Sequence, residues 1–144
     1  MLTSDVSRSY DLFMSADASP ESVARMFSIR RDLARLCRSR KTRTAEFSKS
    51  RPTQWQPWKT IHPQTKEIFT EDGAWQFVAD LLDAGEPLKE VLLEKPPGKK
   101  GYVMEIAVEG RRPIYIKLQL GSGQVFGRSF HHSVGNRGTH ERFK

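Results

Sequence analysis

The 144-residue sequence contains a single cysteine, Cys37, so no disulfide bond can form within the chain. A chain of this length buries enough apolar surface to fold without disulfides, and a lone cysteine is typical of a reducing compartment. No apolar run approaches the roughly 18 residues of a membrane-spanning helix. The N-terminus also lacks the basic and apolar pattern of a signal peptide. We therefore expect a cytoplasmic protein without a membrane partner.

Recognised metal-binding motifs are missing as well. The sequence has four histidines besides Cys37, and their spacing matches no known zinc-ligand pattern. We therefore predict neither a metal site nor a cofactor.

Positive charge is abundant and concentrated in one stretch. The chain has 24 Lys and Arg against 17 Asp and Glu, a net charge of +7. Residues 21–51 hold ten basic and three acidic side chains, so this stretch alone accounts for the net charge. Arginine binds phosphate in a bidentate manner, and local basic charge favours a polyanionic partner. We predict RNA as that partner, with contacts from Arg38, Arg40, Lys41 and Arg43.

Two segments have the apolar periodicity of amphipathic helices. The first begins at Ser19-Pro20-Glu21, where serine caps the helix and proline suits its first turn. The second begins at Thr70-Glu71-Asp72 and ends at Gly85 and Pro87. The apolar faces are Val23, Met26, Ile29, Leu33 and Leu36 in the first, and Trp75, Val78, Leu81 and Leu82 in the second.

Residues 39–63 have no such periodicity and contain three prolines. The segment reads either as a linker or as a stretch held across the fold by Trp55 and Trp58. Both tryptophans adjoin the basic stretch, and a tryptophan ring can stack on an unpaired base. We therefore add Trp55 and Trp58 to the predicted nucleic-acid contacts.

The C-terminal half has strand patterns at 88–93, 103–108, 114–120 and 124–131, separated by turn residues. Helices followed by a meander of strands indicate an α+β fold, with N-terminal helices packed on a four-stranded, mainly antiparallel sheet. The predicted organisation is a flexible arm at 1–18, a basic helix and linker at 19–63, an α+β core at 64–134 and a flexible tail at 135–144.

The last hairpin carries polar side chains that suit acid–base chemistry. Alternation in the strands places Tyr115, Lys117, Ser129 and His131 on one face. With a three-residue loop at 121–123, Ser129 lies opposite Tyr115 and Gly127 opposite Lys117. Polar alternation is also what any solvent-facing sheet shows, so this cluster has an ordinary explanation too.

RNA cleavage requires a group that takes the 2′-hydroxyl proton, a positive charge near the phosphate and an acid for the leaving oxygen. His131 suits the proton transfers because its reference pKa lies near neutrality. Lys117 and Arg128 are candidates for holding the phosphate, and Ser129 is a further candidate for contacting the nucleic acid. Tyr115 is a candidate for base stacking or proton donation. None of these roles requires a metal ion.

The motifs Tyr115-Ile116-Lys117 and Ser129-Phe130-His131 resemble the end of RelE-like bacterial toxin ribonucleases, most of all the MqsR family. Trp75-Gln76 and Lys66 are similar to that family's Trp-Gln pair and upstream lysine, whereas His131 replaces its last lysine. The resemblance implies a RelE/barnase-like fold and a metal-independent mRNA endonuclease. It also implies the ribosome and an acidic antitoxin as partners, and Lys66, Gln76, Tyr115 and His131 as active residues.

Three hypotheses follow from the sequence. The first is a metal-independent endoribonuclease, the toxin of a toxin–antitoxin pair. The second is a non-catalytic nucleic-acid-binding protein that needs the arginines of 25–51 and has a steep salt dependence. The third is an interaction protein whose basic stretch binds and inhibits an acidic partner.

Overall fold

A computed structural model describes residues 19–134 of the chain. The predicted arm at 1–18 and the predicted tail at 135–144 lie outside the described residues. Neither of the α-helices formed within 19–134 has the length and apolar character needed to cross a membrane.

Helix α1, Pro20–Cys37, begins as the sequence predicts. The hydroxyl of Ser19 accepts a hydrogen bond from the Ser22 amide at 3.1 Å, which satisfies one of the free N–H groups of the first turn. Ile29, Leu33 and Leu36 are buried along the predicted apolar stripe. Arg31 and Arg35 are exposed, whereas Arg30 is half-buried and donates to the Leu82 carbonyl at 3.2 Å. The 18 residues make five turns.

Helix α2, Glu71–Asp83, is capped at both ends. Thr70 accepts a hydrogen bond from the Gly73 amide at 2.9 Å. At the other end, Gly85 has a φ of 85° and the Glu86 amide donates to the Leu81 carbonyl. This pairing is a Schellman motif, in which glycine takes the left-handed conformation at no steric cost.

The sheet is mixed and has six strands, which corrects the predicted four-stranded antiparallel arrangement. The antiparallel meander is β3 (Lys89–Leu92), β4 (Lys100–Val108), β5 (Arg111–Leu120) and β6 (Val125–His132). Two further strands, β1 (Arg43–Thr44) and β2 (Gln54–Trp55), pair in parallel with the free edge of β6. The segment 39–63 is therefore built into the sheet.

The β5–β6 hairpin differs from the predicted register. Leu120 pairs with Val125, so the loop has four residues, and β6 then bulges at Arg128. Beyond the bulge, Lys117 pairs with Ser129 and Tyr115 with His131. A bulge adds one residue to one strand, and strict alternation in the sequence does not reveal it.

Both helices pack on one face of the sheet, here called the inner face. One core cluster joins α1, Trp55, α2 and the inner-face side chains of the meander, so segment 19–63 shares its core with 64–134. Its inner-face members are Tyr102, Met104, Ile114, Ile116, Leu118, Val125 and Phe130. The opposite face, here called the outer face, carries the side chains that alternate with them.

Candidate functional site: the two faces of the sheet

The outer face brings Tyr115, Lys117, Ser129 and His131 together, as the sequence predicts. The rings of Tyr115 and His131 lie directly across the two strands with their centroids 5.7 Å apart. Lys117 places Nζ 5.9 Å from the centroid of the Tyr115 ring. On the neighbouring strand, Glu105 pairs with Tyr115 and its side chain is exposed. The face therefore offers an imidazole, a phenol, an ammonium and a carboxylate.

The tautomer of neutral His131 follows from its hydrogen bond. Nδ1 lies 2.9 Å from the backbone carbonyl oxygen of His132. Because a carbonyl only accepts, Nδ1 carries the proton and Nε2 keeps the lone pair. Nε2 is shielded from solvent and has no hydrogen-bond partner within residues 19–134. It is therefore the basic nitrogen, and solvent reaches it only when neighbouring side chains move.

Arg128 does not serve the outer face as predicted. The residue is 5% exposed at the bulge, and its guanidinium donates to three internal acceptors. These are the Pro52 carbonyl at 3.0 Å, Gln119 Oε1 at 2.8 Å and the Lys95 carbonyl at 2.7 Å. Burial lowers the pKa of the guanidinium. Its donors hold two loops against the sheet, and the predicted phosphate contact is corrected accordingly.

Ser129, which was predicted as a nucleic-acid contact, is also buried, with 4% of its surface exposed. It lies opposite Lys117 and next to Gln54 of β2. Ser129 is therefore on the outer face but covered by its neighbours, and its hydroxyl is not open to a nucleic acid in this structure.

Two residues taken from the family resemblance lie apart from the outer-face cluster. Gln76 is exposed on α2 and donates to Asp80 at 3.0 Å. Because α2 packs on the inner face, Gln76 and His131 lie on opposite sides of the sheet. Lys66 is exposed, with a φ of 66°, in the turn that precedes the inner-face residue Phe69.

The predicted phosphate-binding arginines are paired with carboxylates of α2. Arg38 donates to Asp80 at 3.1 Å and also to Asp83. Arg40 and Arg43 both bond Asp72. A hydrogen bond from Arg40 and the positive charges of Arg40 and Arg43 hold the pKa of Asp72 below its usual range. Four of the ten basic side chains of residues 21–51 are thus ion-paired with acidic residues distant in sequence, whereas Arg31, Lys41 and Lys49 are exposed.

A cleft of about 430 Å³ opens on the inner side, between β1, β2 and the start of α2. It unites four of the predicted nucleic-acid contacts: Arg40, Arg43, Trp55 and Trp58. Trp58 is 57% exposed, whereas Trp55 is buried and stacks on Trp75 with centroids 4.4 Å apart. Trp55 thus holds its segment across the fold, and Trp58 is the tryptophan that a ligand meets.

Sequence reasoning missed the acidic residues of both regions. Glu46, Glu71 and Asp72 line the cleft, and Glu105 lies on the outer face. In the sequence, Glu71 and Asp72 belong to the pattern that starts the helix, and in the structure they lie in its first turn. Glu46 lies in a stretch without periodicity, so no sequence signal placed it beside a tryptophan.

Comparison of the chain with protein-family models, with curated proteins and with solved structures gives no match. Within residues 19–134, no three His, Cys, Asp or Glu side chains are grouped so that they could hold a metal ion. The functional argument therefore depends on the geometry of the two regions.

Proposed function

We propose that this protein is an endoribonuclease whose active face is the outer face of the β5–β6 hairpin. One observation carries the proposal: the bulge at Arg128 sets Tyr115 directly opposite His131, with Lys117 beside them. Imidazole, ammonium and phenol are the groups that metal-independent RNA cleavage uses.

His131 has the role of proton-transfer group. Its Nδ1–H is fixed by a backbone carbonyl, so Nε2 is oriented as the nitrogen that takes or gives a proton. Lys117 supplies positive charge for the phosphorane that forms when the 2′-oxygen attacks phosphorus. Tyr115 stacks on a base or donates a proton to the leaving 5′-oxygen.

The wider proposal follows the resemblance to RelE-like toxin ribonucleases. The α+β architecture with an antiparallel hairpin at its C-terminal end is compatible with such a fold. We extend the proposal to a toxin that acts on mRNA at the ribosome and is neutralised by an acidic antitoxin. The net charge of +7 favours both an RNA substrate and an acidic partner.

Induced expression in bacteria tests the proposal. We expect growth arrest and loss of total RNA on a gel with the wild-type chain, and neither with His131→Ala. Lys117→Met is expected to lower the cleavage rate by roughly 100-fold or more. Gln76→Ala is the matched control, because Gln76 lies across the sheet and its loss leaves cleavage unchanged. Equal arrest by wild type and His131→Ala would contradict a catalytic hairpin.

The second candidate is RNA binding without cleavage, and the grouping of Arg40, Arg43, Trp55 and Trp58 in one cleft favours it. This function predicts RNA association that survives His131→Ala and is lost when Trp58 is replaced. Intact RNA after incubation with the wild-type protein would support it against the endoribonuclease.

A further inference from the structure

The cleft has a charge balance that does not suit a phosphate group. Asp72 bonds both Arg40 and Arg43, so it compensates one of their two positive charges. Glu71 Oε2 accepts a hydrogen bond from the indole N–H of Trp75 at 2.9 Å. With two arginines and three carboxylates in its walls, the cleft has a formal charge of −1. A neutral ligand that both donates and accepts hydrogen bonds fits this lining better than an anion.

One carboxylate of the cleft remains available. Glu46 is exposed, and within residues 19–134 its side chain makes no ion pair or hydrogen bond. A carboxylate accepts hydrogen bonds at both oxygens, so it can bind two adjacent N–H donors at once. Arg40 offers the opposite chemistry at the rim, since its side chain is 78% exposed and has more N–H donors than Asp72 uses.

The tryptophans supply a flat apolar wall. Trp58 is more than half exposed, which leaves a ring face for stacking. Trp55 packs closely against Gly127 of β6, where an added Cβ would lie only 2.6 Å from its Cε3. That contact sets the benzene edge of Trp55 toward β6 and turns the edge with Nε1 away from it. Nε1 is buried and has no acceptor in the described part of the chain.

We propose that this cleft binds an unpaired guanine base, stacked on Trp58 and held by Glu46 through its N1–H and N2–H groups. The O6 and N7 acceptors of guanine match arginine, the commonest partner of that edge. Adenine has an amino group where guanine has O6, so its N–H donor would face the N–H donors of Arg40 without an acceptor between them. The site is independent of cleavage and lies on the opposite side of the sheet from His131.

Titration of ¹⁵N-labelled protein with guanosine and with adenosine, followed by the three indole N–H signals, tests the site. Nucleosides have no internucleotide bond, so the result is separate from any nuclease activity. We expect saturable shifts and at least roughly fivefold tighter binding of guanosine, as a bidentate base contact gives. Trp58→Leu should weaken guanosine binding by about tenfold. Phe47→Leu, at another exposed aromatic residue, should not change it.

The role of Glu46 has its own test. Glu46→Gln should remove the preference for guanosine over adenosine, whereas Glu109→Gln, in the distant β4–β5 turn, should keep it. Both residues are exposed, so neither substitution disturbs the core. A preference that persists in Glu46→Gln would overturn the assignment of this carboxylate.

Guanosine monophosphate distinguishes a base site from a phosphate site. We expect it to bind about as tightly as guanosine, and binding more than about tenfold tighter would overturn the proposal in favour of a phosphate at the arginines. Equal binding of all nucleosides, or shifts that do not saturate, would also overturn it.

Discussion

The two faces of the sheet use polar side chains in opposite ways. On the inner side, Arg38, Arg40 and Arg43 form ion pairs with carboxylates of α2. On the outer face, the basic nitrogen of His131 has no hydrogen-bond partner within residues 19–134. Part of the most basic stretch therefore holds α2 in place, whereas the outer face of the hairpin carries an imidazole, a phenol and an ammonium group.

The largest expected effect is a difference in unfolding free energy between substitutions at two neighbouring residues of β6. Phe130 points inward and is completely buried, so Phe130→Ala should lower the free energy of unfolding by about 3–5 kcal/mol. His131 points outward, so His131→Ala should cost less than about 1 kcal/mol. Urea unfolding measures both values. Similar losses for the two substitutions would contradict the assignment of the faces.

Alkylation of Cys37 provides an independent measure of the same difference. Burial raises the pKa of this thiol to about 12, so it is protonated and inaccessible in the folded protein. We expect fast labelling in Phe130→Ala at urea concentrations where His131→Ala is still protected.

The next effect concerns Arg128, the buried cation at the outer-face bulge. Arg128→Met removes three hydrogen bonds and leaves the Gln119 side chain and two loop carbonyls without their donor. We expect a loss of roughly 3 kcal/mol in unfolding free energy. Lys117→Met, on the adjacent strand of the same face, is the control and should cost much less. If Arg128→Met instead retained full stability and lost only RNA affinity, Arg128 would be a phosphate ligand after all.

The smallest effect is the pH dependence of an ion pair between the helical layer and the sheet edge. Hydrogen bonding to Arg25 holds the pKa of Glu90 below its usual value. Its stabilising contribution is therefore present above the pKa of the unfolded chain and is lost as the pH falls through the lower folded value. Because both side chains are partly exposed, we expect at most about 1 kcal/mol.

Thermal unfolding of wild type and Glu90→Gln between neutral pH and pH of about 3 measures this contribution. The difference in melting temperature should shrink as the solution is acidified. A difference that grows in acid would show that the sign of the pKa shift is wrong.

Local patterns predicted most of the regular elements. Both helices were predicted from their caps at Ser19 and Thr70 and from their apolar stripes. The four strands of the meander were predicted from their strand patterns and turn residues. Strands β1 and β2 were missed because two residues are too few to show a period. The register was wrong because the hairpin loop has four residues instead of three and because β6 bulges at Arg128, which alternation in the sequence does not reveal.

The candidate site was predicted in part for a similar reason. Side-chain alternation alone grouped Tyr115, Lys117 and His131 on one face. The neutralisation of the basic stretch depends on Asp72, Asp80 and Asp83, which meet the arginines only when α2 packs on α1. Net charge along the sequence therefore overestimated the cationic surface.

The most direct test of an active site on the outer face is RNA cleavage by purified protein in EDTA, with the product ends analysed by mass spectrometry. Attack by the 2′-oxygen predicts 2′,3′-cyclic phosphate ends with the wild-type protein, no product with His131→Ala and unchanged product with Gln76→Ala. Intact RNA with the wild-type protein, or the same cleavage by His131→Ala, would contradict the claim that the hairpin is an active site.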